Sequence, residues 1–212
     1  MMGKWLAAVL VAGALTGCSP VNPYYDPNQP HHTKQGFRNL YSHATPGKVD
    51  FWRWQFDRWM RGLPHPPEES LTPVVADVAW LKEPSSEVRV TWIGHSTLLV
   101  QLGQFNLLTD PIFSERASPV SFAGPKRHQP PGVALEDLPR IDAVVISHNH
   151  YDHLDLASVR ALAKQRGGPP VFMVPLGVDV WFRKNVPEAV DLRPLDWWGQ
   201  TIVGDAVFTL LP

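Results

Sequence analysis

The chain has 212 residues, enough for one sizeable domain with an extension. Its 19 Lys and Arg stand against 20 Asp and Glu, a formal charge of −1 with no long run of one sign, which argues against the basic face of a nucleic-acid binder. A single cysteine excludes an internal disulfide and a cysteine-built metal site.

In chain order, the first segment reads as an address. Lys4 supplies a positive start, and Leu6 to Leu15 is apolar, too short to span a bilayer as a mature helix. It ends in Leu15-Thr16-Gly17-Cys18, which resembles the lipobox of bacterial lipoproteins. That resemblance implies a signal peptide over residues 1–17, cleavage before Cys18 and lipidation of its thiol. The expected location is the bacterial cell envelope, lipid-anchored, with Ser19 favouring the periplasmic side of the outer membrane. The competing reading is an ordinary signal peptide with a chance cysteine.

Residues 18–86 read as a tether and an aromatic-rich extension. Pro, Asn, Tyr and His dominate to about Thr45, and the loop histidines His31, His32, His43 and His65, with His128 further on, are read as solvated. Phe51, Trp54 and Arg58, with Phe56, Trp59 and Met60, fit a helix with a broad aromatic face. Such a face either packs on the main domain, the commoner case, or meets a membrane surface, where Trp concentrates.

The regular domain is expected over residues 87–212. Val88, Val90 and Trp92 alternate as a strand, and Thr97–Leu102 and Phe105–Thr109 form two more around a tight Gly103-Gln104 turn. Pro111 to Pro139 reads as a long loop, a kind usually functional. Ile141–Ser147 reads as a buried strand and Asp155–Arg166 as a capped helix. Val171–Val174, a short helix over Gly177–Lys184, and strands at Val190–Leu192 and Ala206–Leu211 complete a mixed sheet with outer helices.

The chemistry concentrates in His148-Asn149-His150-Tyr151-Asp152-His153, directly after a strand. Imidazole and carboxylate donors suit zinc and its neighbours. His148 and His150 are two apart, so in extended backbone they project to one side and can share a metal. Asp152 and His153 lie around the following turn and can reach a second one.

This His-x-His-x-Asp-His motif resembles the signature of the metallo-β-lactamase superfamily. Further stretches resemble its N-acyl-phosphatidylethanolamine-hydrolysing phospholipase D branch. These are Thr91–Thr97, Leu108–Ser114, Gly124–Arg127, Ile141–Asp155 and Asp196-Trp197-Trp198. The resemblance implies an α+β, αββα sandwich flanked by helices. It also implies two zinc ions, one on His148 and His150, the other on Asp152 and His153. A hydroxide between the metals would attack phosphorus, with Asp152 orienting it as the catalytic carboxylate. A membrane phospholipid is then both substrate and anchor surface.

Asp110 is expected to hold a ligand imidazole in its tautomer, the alternative being a turn aspartate before Pro111. His95 either faces the pocket to meet substrate or makes a structural hydrogen bond. Lys126 and Arg127 either meet a phosphate or are ordinary surface charges. The resemblance also demands a third His, a bridging Asp and a fourth His later in the chain, yet no histidine follows His153. Only the N-terminal half of the fold is therefore expected. The alternatives are a metallo-hydrolase of a lactone, β-lactam or thioester, and a non-catalytic envelope lipoprotein.

Overall fold

The computed structural model describes residues 21–41, 47–62 and 74–212. Cys18, the signal segment 1–17, His43 and His65 lie outside the described residues. The backbone divides into two units, residues 1–42 and 43–212.

In the first unit the expected tether contains a small antiparallel hairpin of β1 (His32–Thr33) and β2 (Gly36–Phe37). Asn22 pins it by donating its side-chain amide to the carbonyls of Thr33 and Gly36. His31 and His32 are buried, not solvated. Nδ1 of His32 accepts from the Asp26 amide at 3.2 Å, and both rings pack near Phe37. Short polar side chains organise this loop locally, which hydrophobic periodicity does not register.

The second unit begins with α1 (Lys48–Arg61). The Gly47 amide donates to the Asp50 carboxylate at 2.8 Å, and Arg58 and Arg61 in the last turn complement the helix dipole. None of its residues is buried, so the expected packing against the domain is not found. At 100° per residue Val49, Trp52, Phe56, Trp59 and Met60 form one apolar stripe, and all five are exposed. A short α2 (Val78–Lys82), capped by the Asp77 carboxylate, buries Leu81.

One six-stranded mixed sheet follows, in the order β3-β4-β5-β6-β7-β8. Strands β3 (Val88–Gly94), β4 (Thr97–Leu102) and β5 (Phe105–Thr109) are antiparallel neighbours. The two-residue turn between β4 and β5 puts Gly103 at φ 64, which a glycine accepts freely. Strands β6 (Ala143–Val145), β7 (Val171–Pro175) and β8 (Leu192–Leu195) then pair parallel, beginning with β5 against β6. Helix α3 (Leu156–Ala163) connects β6 to β7, and α4 (Val178–Asn185) connects β7 to β8. A hairpin of β9 (Gln200–Val203) and β10 (Ala206–Thr209) completes the described elements.

The main core lies on the helical face of the sheet. Leu99, Leu108, Val144 and Phe172 meet Val159 and Leu162 of α3 and Phe182 of α4. Phe172 and Phe182 are fully buried with ring centres 5.3 Å apart. Each such burial contributes about 1.5–3 kcal/mol. On the other face Phe208 and Val203 of the hairpin pack over Met173 and Ala143. Val88, Val90 and Trp92 remain exposed along β3.

This topology positions the chemistry. Because β4 runs opposite to both neighbours, β3 and β5 share a direction, and β6 continues it. The carboxyl ends of β3, β5 and β6 therefore meet at one edge, where α/β sheets commonly bind ligands.

Candidate metal centre

Strand β6 is pinned on both sides before the motif begins. The Ile146 amide donates to the Met173 carbonyl, and the Ser147 amide donates to Oδ1 of Asp110 at 2.7 Å. The next residues leave the sheet in a turn closed by the His153 and Leu154 amides on the His150 carbonyl, at 3.0 and 2.7 Å. That turn gathers the motif's side chains over the strand edge.

The donor atoms fall into pairs. Nε2 of His148 lies 3.1 Å from Nδ1 of His150. Oδ2 of Asp152 lies 3.6 Å from Nε2 of His153. The rings of His148 and His153 are 4.1 Å apart, which brings the two pairs side by side. Tetrahedral zinc, with bonds of about 2.0–2.1 Å, sets its donors roughly 3.3 Å apart. Both pairs have donor types and spacing that fit such an ion.

Asp110 sits beneath them, 7 % exposed, at φ 36. Its Oδ2 lies 3.0 Å from Nδ1 of His153 and accepts from the Ser147 hydroxyl at 2.8 Å. A carboxylate there makes Nδ1 the protonated nitrogen of His153 and leaves the Nε2 lone pair facing Asp152. Ser147 Oγ also lies 2.9 Å from Nδ1 of His148, so one carboxylate reaches both rings, one of them through a hydroxyl.

The electrostatics favour a neutral His148 and an ionised Asp152. Desolvation lowers the pKa of His148, and the nearby His153 and His150 lower it further. Burial works against ionisation of Asp152, but its own backbone amide, the charge of His153 and the hydrogen bond from His95 outweigh it and hold the pKa below the usual value. Metal binding requires both forms.

His95 follows β3, and its Nε2 lies 3.0 Å from Oδ2 of Asp152. Its backbone is left-handed at φ 52, next to a register shift between Trp92 and Gly94. A non-glycine residue there stores of order 1–3 kcal/mol of strain, of a kind that clusters at functional sites. Trp92 holds the turn by donating its indole N–H to the His95 carbonyl at 2.9 Å.

The two basic candidates are already engaged. Lys126 pairs with Glu115 at 2.6 Å on the surface and lowers the Glu115 pKa. The Arg127 guanidinium donates to the carbonyls of Gln129 and Ile112, and burial lowers its pKa. It braces the long loop. Residues 111–139 are organised further by Asp155, at the N-terminus of α3, whose carboxylate accepts from the Ser114 amide and hydroxyl and from Ser158. Sequence reasoning read Asp155 only as a helix cap.

The same loop walls a cleft of about 690 Å³ that opens onto His150, Asp152 and His95. Trp92, Ile112, Pro130 and Tyr151 give it a largely apolar lining, and His128 also faces it. None of these five was singled out in the sequence as a pocket residue. Their signal is positional, since each flanks a motif residue or lies in the long loop.

A mixed sheet carrying histidine and aspartate donors at the carboxyl edge of its strands defines a domain of the metallo-β-lactamase fold. The chain belongs to the β-lactamase superfamily: the model described as Beta-lactamase superfamily domain matches residues 105–212. It is 43% identical over 129 residues to an uncharacterised protein of Mycobacterium tuberculosis (strain ATCC 25618 / H37Rv), covering 60% of this chain and 34% of that protein. It is 48% identical over 96 residues to a Caenorhabditis elegans protein named N-acyl-phosphatidylethanolamine-hydrolyzing phospholipase D 1, covering 45% of this chain and 26% of that one. A UPF0173 metal-dependent hydrolase of Pyrobaculum islandicum is 30% identical over 120 residues, covering 57% and 47%. The chain thus spans about a third or less of the length of the first curated relatives it matches.

Proposed function

We propose that this chain carries the metal-binding portion of a hydrolase that cleaves a phosphodiester in N-acyl-phosphatidylethanolamine-type phospholipids. The observation that carries the reading is the pair of donor sets, His148 with His150 and Asp152 with His153, side by side at the mouth of an apolar cleft. The similarity to a relative named for that hydrolysis supports the substrate class. Zinc bound to the two sets would supply Lewis acidity, lowering the pKa of water and offsetting charge on a phosphoryl oxygen.

The chain's own groups do the rest. Asp110 fixes the tautomer of His153, and Ser147 extends that hold to His148. Asp152, held in its ionised form, accepts a hydrogen bond from an incoming water and aims it at phosphorus. Trp92, Ile112 and Pro130 shelter the lipid's glycerol and acyl portions from water. The exposed aromatic stripe of α1 is suited to a bilayer surface, and a lipid on Cys18 would hold the chain in the cell envelope.

The test is release of phosphatidic acid from detergent-dispersed N-acyl-phosphatidylethanolamine by the zinc-loaded chain. Release that His148→Ala abolishes, by at least about a hundredfold, is expected. Equal release by the variant overturns the mechanism. Absence of release with turnover of a lactone or thioester moves the substrate class and keeps the centre.

A further inference from the structure

We propose that His95 is a direct ligand, through Nε2, of the ion held by Asp152 and His153, so that this chain supplies a three-donor centre. The inference rests on the metal-centre reading above and adds a ligand that the His-x-His-x-Asp-His motif does not contain.

His95, Asp152 and His153 each offer one ligand atom, and the three atoms lie within 4.8 Å of one another. The two spacings, 3.0 Å from His95 to Asp152 and 3.6 Å from Asp152 to His153, bracket the roughly 3.3 Å edge of a tetrahedral zinc site. The His95 and His153 rings stand 5.2 Å apart at 66°, converging on the same carboxylate oxygen. A simple structural hydrogen bond needs only His95 and Asp152. It does not require His153 to turn its free nitrogen toward the same oxygen.

The backbone makes the same case. His95 enters from the β3–β4 turn, 57 residues before Asp152, so the trio is assembled by the sheet and not by one flexible loop. Its left-handed φ of 52 is held by the Trp92 indole on its carbonyl. The side chains of His95 and Asp152 are 51 % and 40 % exposed, so water or substrate could reach an ion held there. Three protein ligands and one open position is the pattern of a catalytic zinc site.

The full chain is tested with zinc alone, by chelator competition and by X-ray absorption at the zinc edge. A His148→Ala/His150→Ala background removes the other donor pair. There we expect one zinc with two imidazoles in its shell. Adding His95→Ala should remove one imidazole and weaken binding by more than about 100-fold, the ceiling for a partner that only touches a ligand. His95→Gln should not restore the affinity, and circular dichroism checks that each variant folds. Unchanged affinity, or weaker binding with the imidazole count unchanged, overturns the proposal, as does a background that binds no zinc while the unsubstituted chain does. A chain that binds no zinc in any form overturns the metal-centre reading itself.

Discussion

Asp110 shows how much one carboxylate is asked to hold. Its two oxygens accept from the Ser147 amide and hydroxyl and face Nδ1 of His153. Asn keeps the shape and tolerates the residue's φ of 36, but offers a single acceptor oxygen and an amide that would confront His153. Asp110→Asn is therefore expected to fold and to lose about 10- to 100-fold in zinc affinity, measured by competition titration. Asp110 was legible as a candidate because an aspartate before proline at a strand end invites either reading. Arg127 was not legible, since nothing in Gly-Pro-Lys-Arg shows that the guanidinium turns inward to backbone carbonyls.

At the scale of elements, strands β3 to β5 and β6 were plain in the sequence, because their apolar and β-branched residues alternate or run unbroken between turn signals, although the Val88, Val90 and Trp92 face of β3 stays exposed. The helix α3 was also plain, though it ends at Ala163, before Arg166. The short α2 and β9 escaped notice: five and four residues carry too little periodicity to separate them from loop. The long loop could be seen as a loop, but its anchoring on Asp155 is a tertiary fact. Helix α1 was predicted, yet its aromatic face is exposed where packing was the commoner outcome. Four basic residues against Asp50 and Asp57 give α1 a net positive balance, which suits anionic lipid. Vesicles containing phosphatidylglycerol should bind the chain in co-sedimentation, and Trp52→Glu/Trp59→Glu should lower that binding by at least about tenfold. Equal binding by the double variant would remove α1 from any membrane role.

For the whole molecule, the shared direction of β3, β5 and β6 has a consequence in time. The centre's parts come from positions far apart in sequence: 57 residues separate His95 from Asp152, and 43 separate Asp110 from His153. They meet only after the parallel pairing of β5 with β6, a non-local step that costs loop-closure entropy before any reward. A metal held by the proposed donors, His95 included, would grip its full set only once that pairing exists, and would add little to the non-local encounter that precedes it. Stopped-flow measurements should find that saturating zinc slows unfolding by at least about tenfold and leaves refolding nearly unchanged. The metal would then act as a latch on a finished sheet and not as a seed for it, and its loss would shorten the lifetime of the fold before it altered how the fold is reached.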